Sequence, residues 1–371
     1  MLTIEENRGT SVTLDGQKYT YFGGTNYLGL AQRPELLAAG TEAFRKFGFS
    51  SSASRLTSGE SSLLVELETY LADFAQYESA LVLPAGFLSN LAVVDGLAEL
   101  VDAWMIQPYA HSSIRSALAT SGKPIHTMPS ASGVVNGVLS RDAAADPGQR
   151  LGIFLEPINP LTGELTDVSA VAAAAPAGSY IIMDEAHSFA VLGTTGGGAA
   201  QHFNLDKKHL IATGTFSKAL GAYGGFVLAS AEVIGLIKEK SGSYRGSTPL
   251  SPVVCAAALA ALQLVKTDRA GTLDALRANI SAVNKRLQQS GMRKDTPIPI
   301  FYLLNPAELP ALEEELRAAH ICVPVVGTYF KAACDLAFRW TIHATHQPAE
   351  IERFLNLVEP HIRQHADAAV K

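Results

Sequence analysis

Five short apolar runs, at residues 80–83, 151–155, 180–183, 210–213 and 225–229, constrain the fold more than any other feature of this chain. None alternates with polar residues, and stretches with apolar groups at helical spacing lie between them. A strand that is apolar on both faces needs cover on both faces, so the pattern predicts an α/β fold around a mainly parallel sheet. Before this rhythm, residues 10–22 alternate around Asp15-Gly16, which suggests a hairpin, and residues 34–47 and 61–77 read as helices. After residue 250 the texture changes. Leu273, Leu276, Ile280, Val283 and Leu287 mark an amphipathic helix ending near Gly291. Strand candidates at 298–304 and 336–343 alternate with helices at 309–319 and 348–361, as in a smaller α+β domain. The expected division is an N-terminal segment (1–45), a large domain (46–250) and a small C-terminal domain (251–371).

Composition narrows the partners. With 371 residues, 47% hydrophobic, there is material for a large core, and a net charge of −6 argues against nucleic acid or an anionic membrane surface. Cys255, Cys322 and Cys334 are too few and scattered for a disulfide framework, and no two have metal-ligand spacing, so no metal is expected. The first ten residues hold no apolar signal core; the apolar run at 168–183 is broken by Pro176 and Gly178, and that at 253–265 is too short to span a bilayer. A cytoplasmic protein is the expectation.

Ligands bind at the carboxyl ends of strands in open α/β sheets, and four features sit there. Lys218 follows the fourth run in Gly214-Thr215-Phe216-Ser217-Lys218, before a glycine cluster. A Schiff-base lysine needs such a partly desolvated, closely approachable setting. The hydroxyls of Thr215 and Ser217 could reach a phosphate, although a plain lysine beside a loop fits this fragment as well. Asp184 closes the third run and His187 follows it. A carboxylate there can hold a cationic ring nitrogen and the imidazole a neighbouring oxygen, or the pair can be metal ligands or a helix cap. Gly86 and Phe87, after the first run, form a strand-to-helix turn whose N–H groups suit a phosphate, or an ordinary tight turn. Arg339, among apolar residues, can clamp a carboxylate or enter a structural ion pair.

The order of these features, with Lys218 following Asp184 by 34 residues and Arg339 late, resembles that of fold-type I pyridoxal-phosphate enzymes. Four stretches, TNYLGLAQRPEL (25–36), SRLTSGESSLLVELE (54–68), MDEAHSFAVLGTTGGG (183–198) and GTFSKALGAYGG (214–225), with LAFRWTIHATH (336–346), are similar to the α-oxoamine synthase family. This family includes 8-amino-7-oxononanoate synthase and 2-amino-3-ketobutyrate CoA ligase. The resemblance implies a pyridoxal 5'-phosphate cofactor held by Lys218, with Asp184 on the ring nitrogen, His187 on the ring oxygen and His111 stacked on the ring. It implies Gly86, Phe87, Thr215 and Ser217 at the phosphate, and Ser247 and Thr248 reaching the phosphate of a partner subunit in a homodimer. Arg339, Asn26 and Arg55 would bind substrate. The implied reaction is decarboxylative condensation of an amino acid with an acyl-CoA. An aminotransferase and a non-catalytic binding protein of the same fold are the alternatives.

Departures from the family fall on the substrate side. Phe49-Ser50-Ser51-Ser52-Ala53 replaces a glycine-rich lead-in, which narrows the cavity expected there. Leu64 stands for a histidine, Ile106-Gln107-Pro108-Tyr109 stands where an acidic residue is usual, and Pro160 stands for a serine. Asn159-Pro160-Leu161-Thr162-Gly163 is similar to an aminotransferase turn. His343 replaces a threonine, and the loop at 326–329 is shortened.

Overall fold

The computed structural model describes residues 3–129, 148–160, 163–290, 296–303, 309–326 and 337–368. They form two compact units: Arg33–Asn159 with Leu165–Thr267, and Met1–Gln32 with Pro160–Glu164 and Asp268–Lys371.

The smaller unit opens with β1 (Glu6–Asn7), β2 (Ser11–Leu14) and β3 (Gln17–Tyr21). Asp15 and Gly16, at φ 49° and 71°, join β2 to β3. Two consecutive positive φ angles match the right-handed twist of a two-residue hairpin, which is why Asp-Gly serves there.

The larger unit runs α1 (Pro34–Phe47), α2 (Ser62–Ala75), β4 (Ser79–Leu83), α3 (Gly86–Leu97), β5 (Ala103–Ile106), α4 (Ser112–Ala119) and β6 (Ile125–Thr127). It continues with β7 (Leu151–Leu155), α5 (Val168–Ala174), β8 (Tyr180–Asp184), α6 (Ala199–His202), β9 (Leu210–Thr215), β10 (Gly225–Ala229), α7 (Ala231–Lys240), α8 (Gly242–Gly246) and α9 (Pro252–Thr267). Its seven-stranded sheet has the order β4-β10-β9-β8-β7-β5-β6. The pairings are parallel except those of β10, which is antiparallel to both neighbours. The sheet is therefore mainly parallel, as the apolar runs require. One face presents Leu81, Trp104, Phe154, Ile182, Ile211 and Val227 to apolar residues of α3 and α7. Burial of each such side chain stabilises the fold by roughly 1.5–3 kcal/mol.

Three expectations need correction. Strands β5 and β6 were not expected: β6 (IHT) carries a single apolar residue, and β5 (AWMI), as short as the run at 80–83, was not read as a strand. The cut at residue 45 falls inside α1, a helix of the larger unit whose Gly40 lets Val253 of α9 approach closely. The cut at 250 separates α9 from that unit, which runs on to Thr267.

After α9 the smaller unit resumes with α10 (Leu273–Gln289), β11 (Ile300–Leu303), α11 (Leu309–Ala318), β12 (Ile321–Cys322), β13 (Val325–Val326), β14 (Ala337–Thr341) and α12 (Pro348–Ala368). The five apolar residues expected on one face of α10 are all buried. β12 lies parallel to β3, completing a β1-β2-β3-β12 sheet, and β11-β14-β13 form a second, antiparallel one. Phe22 lies between His346 and Phe354, at ring separations of 4.3 and 4.1 Å. The helix end at Gly291, the residues 327–329 of the shortened loop, Leu161, Thr162 and Cys334 lie outside the described residues. Among the described residues no helix is long and apolar enough to cross a membrane.

Candidate active site

A cavity of about 250 Å³ opens at the carboxyl ends of the sheet strands in the larger unit. Its walls bring together Gly86, Phe87, His111, Asp184, His187, Thr215, Ser217 and Lys218, all expected at a site. They are far apart in sequence, and the parallel strands carry them to one edge because each leaves its strand at the same end.

At one end of the cavity α3 begins. Gly86 is its first residue, and a Cβ there would lie 2.9 Å from the Thr215 Cβ, so only glycine permits this approach to β9. The first N–H groups of a helix have no intrahelical acceptor, which makes this end attractive to an anion. Thr215 Oγ1 lies 2.8 Å from Ser217 Oγ and donates to the Gly224 carbonyl at 2.8 Å. The two hydroxyls thus lie beside the helix terminus.

Deeper in, Asp184 ends β8 with both oxygens held. Ala186 N–H donates to Oδ1 at 3.1 Å and Asn90 Nδ2 to Oδ2 at 2.8 Å. Asn90 is oriented in turn by Thr213 Oγ1, which donates to its Oδ1 at 2.6 Å. These donors fix the orientation of the carboxylate. Lys218 Nζ lies 2.9 Å from His187 Nε2. His111 caps α4, its Nδ1 accepting from Ser113 N–H at 3.2 Å, which places its ring proton on Nε2. Burial lowers its pKa and favours the neutral ring.

Glu156, just past β7, is a site residue that the sequence reading missed. It lines the cavity, is buried, and accepts the His111 N–H at 3.1 Å through Oε2. Its own N–H donates to Gln107 Oε1 at 2.7 Å. Burial first, and then the charge of Asp184, push its pKa up to about 8. The protonated acid is thus favoured in the folded protein, whereas an unfolded carboxyl titrates near 4.5. Stability present below the unfolded value is lost as pH rises toward the folded one. Glu156→Gln should flatten this dependence. Melting temperatures of the ligand-free protein should fall less between pH 5 and 8 in the variant than in the wild type. Equal slopes would show that Glu156 is ionised throughout.

Asn90, Ser113, Thr213 and Tyr223 were also missed. Asn90 and Ser113 sit on helices that otherwise read as packing elements, and the polar Ser89-Asn90 pair inside an apolar helix was the available signal.

Other expected residues lie elsewhere. Arg55 is corrected: its guanidinium pairs with Glu60 at 2.7 Å and Glu68 at 2.5 Å, and its side chain is 3% exposed. It also stacks on Tyr244. A cation so enclosed by two carboxylates serves the fold rather than a ligand. Ser247 and Thr248 follow α8 and do not line the cavity of their own chain. Asn26 and Arg339 belong to the smaller unit. There, Asn26 bonds Gln32 and the Ala31 N–H, and Arg339 Nε donates to the Pro160 carbonyl at 2.7 Å.

The cavity suits a flat anionic ligand with a basic ring nitrogen. An anion cradle occupies one end, an anchored carboxylate the other, and an imidazole and an amine lie between. The glycine close approach at Gly86 and the donor set are those a pyridoxal phosphate would need. Among the described residues no three His, Cys, Asp or Glu side chains gather as a metal site.

Comparison with known proteins places this geometry in context. The family model for aminotransferase class I and II matches residues 18–358. An 8-amino-7-oxononanoate synthase of Citrifermentans bemidjiense is 33% identical over 371 aligned positions, covering 97% of this chain and 93% of the relative. A solved structure of SPT with a PLP internal aldimine has a TM-score of 0.89 at 24% identity, covering 98% of this chain and 92% of that one. The crystal structure of 8-amino-7-oxononanoate synthase from Francisella tularensis has a TM-score of 0.77 at 24% identity, covering 94% and 99%. Both structural likenesses speak to the fold.

Proposed function

This chain belongs to the aminotransferase class I and II family, and from that premise we propose that it is a pyridoxal-phosphate-dependent acyltransferase of the α-oxoamine synthase type. In the finer reading it condenses an amino acid with an acyl-CoA, as its resemblance to the α-oxoamine synthases implies, and relatives of this chain are named 8-amino-7-oxononanoate synthase. The observation that carries the proposal is the Lys218–His187 pair at 2.9 Å, set in one cavity with the anchored Asp184 and the N-terminus of α3.

Lys218 would hold the cofactor through Nζ, and the α3 terminus with Thr215 and Ser217 would hold its phosphate. Asp184 would pair with the ring nitrogen, His187 with the ring oxygen, and His111 would lie against the ring. When bound, pyridoxal phosphate supplies an electron sink for the negative charge left on a substrate carbon. Ala186 N–H on Oδ1 and Asn90 Nδ2 on Oδ2 orient Asp184 for its place at the ring nitrogen. Lys218 Nζ takes the substrate's α-proton, and His187 Nε2, 2.9 Å away, orients that amine. Arg339 binds the substrate's carboxylate, in the manner open to a guanidinium.

A homodimer in the cytoplasm belongs to the same reading, with Ser247 and Thr248 serving the neighbouring subunit. An exposed apolar groove of about 370 Å³ on the larger unit, lined by Leu37, Phe44, Phe49 and Tyr223, supports a partner surface. The buried free thiols of Cys255 and Cys322 fit a reducing compartment.

The test is absorbance of the cofactor-loaded protein with glycine, alanine and serine added singly, followed by acyl-CoA. A visible band that shifts with one amino acid, and free thiol released on adding acyl-CoA, is the expected result. Amine transfer to a keto acid without thiol release would instead establish an aminotransferase. Absence of a visible band with excess pyridoxal phosphate would overturn the proposal.

A further inference from the structure

Asn90 reaches two of the residues expected to hold the cofactor, and it does so from behind the cavity wall. It is 1% exposed and does not itself line the cavity. Its Nδ2 donates to Asp184 Oδ2 at 2.8 Å and to Ser113 Oγ at 2.9 Å. Ser113 Oγ lies 2.7 Å from His111 Nδ1. The amide is thus joined to Asp184 directly and to His111 through one hydroxyl. We infer that Asn90 is a positioning residue that fixes His111 and Asp184 relative to each other, so that the first meets the face of the cofactor ring and the second its nitrogen; the inference rests on the functional reading above.

The direction of each bond follows from the groups present. Thr213 Oγ1 donates to Asn90 Oδ1 at 2.6 Å, so the amide oxygen is engaged and the two Nδ2 protons go to Asp184 and Ser113. A turned amide would set oxygen against Asp184 Oδ2. Because Ser113 Oγ accepts from Asn90, its own proton is left for His111 Nδ1, which also accepts the Ser113 N–H at 3.2 Å. Donors on Nδ1 hold the ring in one orientation and keep its proton on Nε2. A primary amide has two divergent N–H groups in one plane, so one side chain sets both the spacing and the angle of its two acceptors. A hydroxyl offers one proton for this task, and an ionised carboxylate none.

Asn90 is itself firmly seated. It follows Gly86, the first residue of α3, by four positions, and so lies one turn deeper on the same helix face. The helix end expected to take the phosphate and the amide that sets Asp184 and His111 therefore belong to one rigid element. That element packs closely on α7, where a Cβ at Gly96 would lie 2.6 Å from Ile237 Cγ1. Thr213 and Asp184 are register partners on the adjacent strands β9 and β8. The amide thus ties α3 to two neighbouring strands and to the start of α4. Groups that bind one flat ligand on three sides must be held to within about 0.5 Å, which a shared partner on a helix secures better than separate loops would.

The experiment compares wild type, Asn90→Leu, Ser113→Ala and the double variant. Leucine keeps the buried volume and removes both N–H groups. Melting of the cofactor-free proteins checks that each folds. Pyridoxal phosphate is then titrated into each, with Kd read from fluorescence and the visible circular dichroism recorded at saturation. A flat chromophore takes that signal from a fixed asymmetric setting, so it reports how the ring is placed and not merely whether it is bound. The expected result is a Kd raised about tenfold in Asn90→Leu and about fivefold in Ser113→Ala. The visible dichroism should weaken in both while the absorption band remains. Both substitutions cut the same arm to His111, so the double variant should match Asn90→Leu within about twofold. Wild-type Kd and dichroism in Asn90→Leu, or losses that multiply in the double variant, overturn this inference alone. Should Asn90→Leu fail to fold, Ser113→Ala decides, and full dichroism there overturns the inference. A wild type that develops no visible band with excess pyridoxal phosphate overturns the functional reading, and this inference with it.

Discussion

Lys218→Ala should eliminate the visible absorption of the bound cofactor and lower turnover by about 10³-fold or more. The expectation follows from two roles that one atom would fill. Nζ would hold the cofactor at rest and would take the substrate's α-proton once released. In the structure Nζ lies 2.9 Å from His187 Nε2, which sets its direction there. Truncation to alanine removes the amine without replacing it, and among the described residues no second lysine lines the cavity. The variant should still fold. Lys218 lies in the turn between β9 and β10, whose backbone bonds, Gly221 N–H to the Lys218 carbonyl and Ala222 N–H to the Phe216 carbonyl, do not need its side chain. Absorbance with excess pyridoxal phosphate, and turnover with an amino acid and acyl-CoA, are the measurements. Turnover within tenfold of wild type would show that the base lies elsewhere.

Asp184→Asn should be nearly as damaging, with an expected loss of about 10²–10³-fold in kcat. Two consequences add. The substitution would remove the carboxylate proposed to face the ring nitrogen. It also turns one acceptor into a donor, while Ala186 N–H and Asn90 Nδ2 both need an acceptor. One of these buried donors loses its partner, or Asn90 turns over and loses Thr213. Cofactor affinity should weaken along with kcat, measured by fluorescence during dialysis against buffer. If kcat were unchanged, the ring nitrogen would need no counter-charge, and the assignment of this pocket to pyridoxal phosphate would fail.

Much of this was legible beforehand, for identifiable reasons. α1 was bounded correctly because Pro34 opens it and Gly48 stops it, both local signals. The direction of β10 was not legible. Its apolar run matches that of a parallel strand, and only the short turn from β9, with no crossover helix, makes it antiparallel. At the site, Asp184 and Glu156 present the same pattern, an acid directly after an apolar run, yet only the first drew notice. Asn90 lay hidden because a side chain facing a sheet edge from within a helix leaves no periodic trace. The role expected for Arg55 came from a motif, and motifs do not reveal that Glu60 and Glu68 close around it.

The pairing of β12 with β3 has a consequence for how the protein is made. Ile321 and Thr20 are register partners, so the N-terminal ribbon waits for a strand about 300 residues later in the chain. At ribosomal rates of about 5–20 residues per second, that interval is about 15–60 s. Throughout it, the nascent chain carries an unpaired β3 edge with Tyr19 and Tyr21, side chains that end up buried. The ribbon is thus made well before the strand that satisfies it. Conditions that slow elongation should increase aggregation of newly made chains, and holdase chaperones should bind nascent chains near residues 11–21.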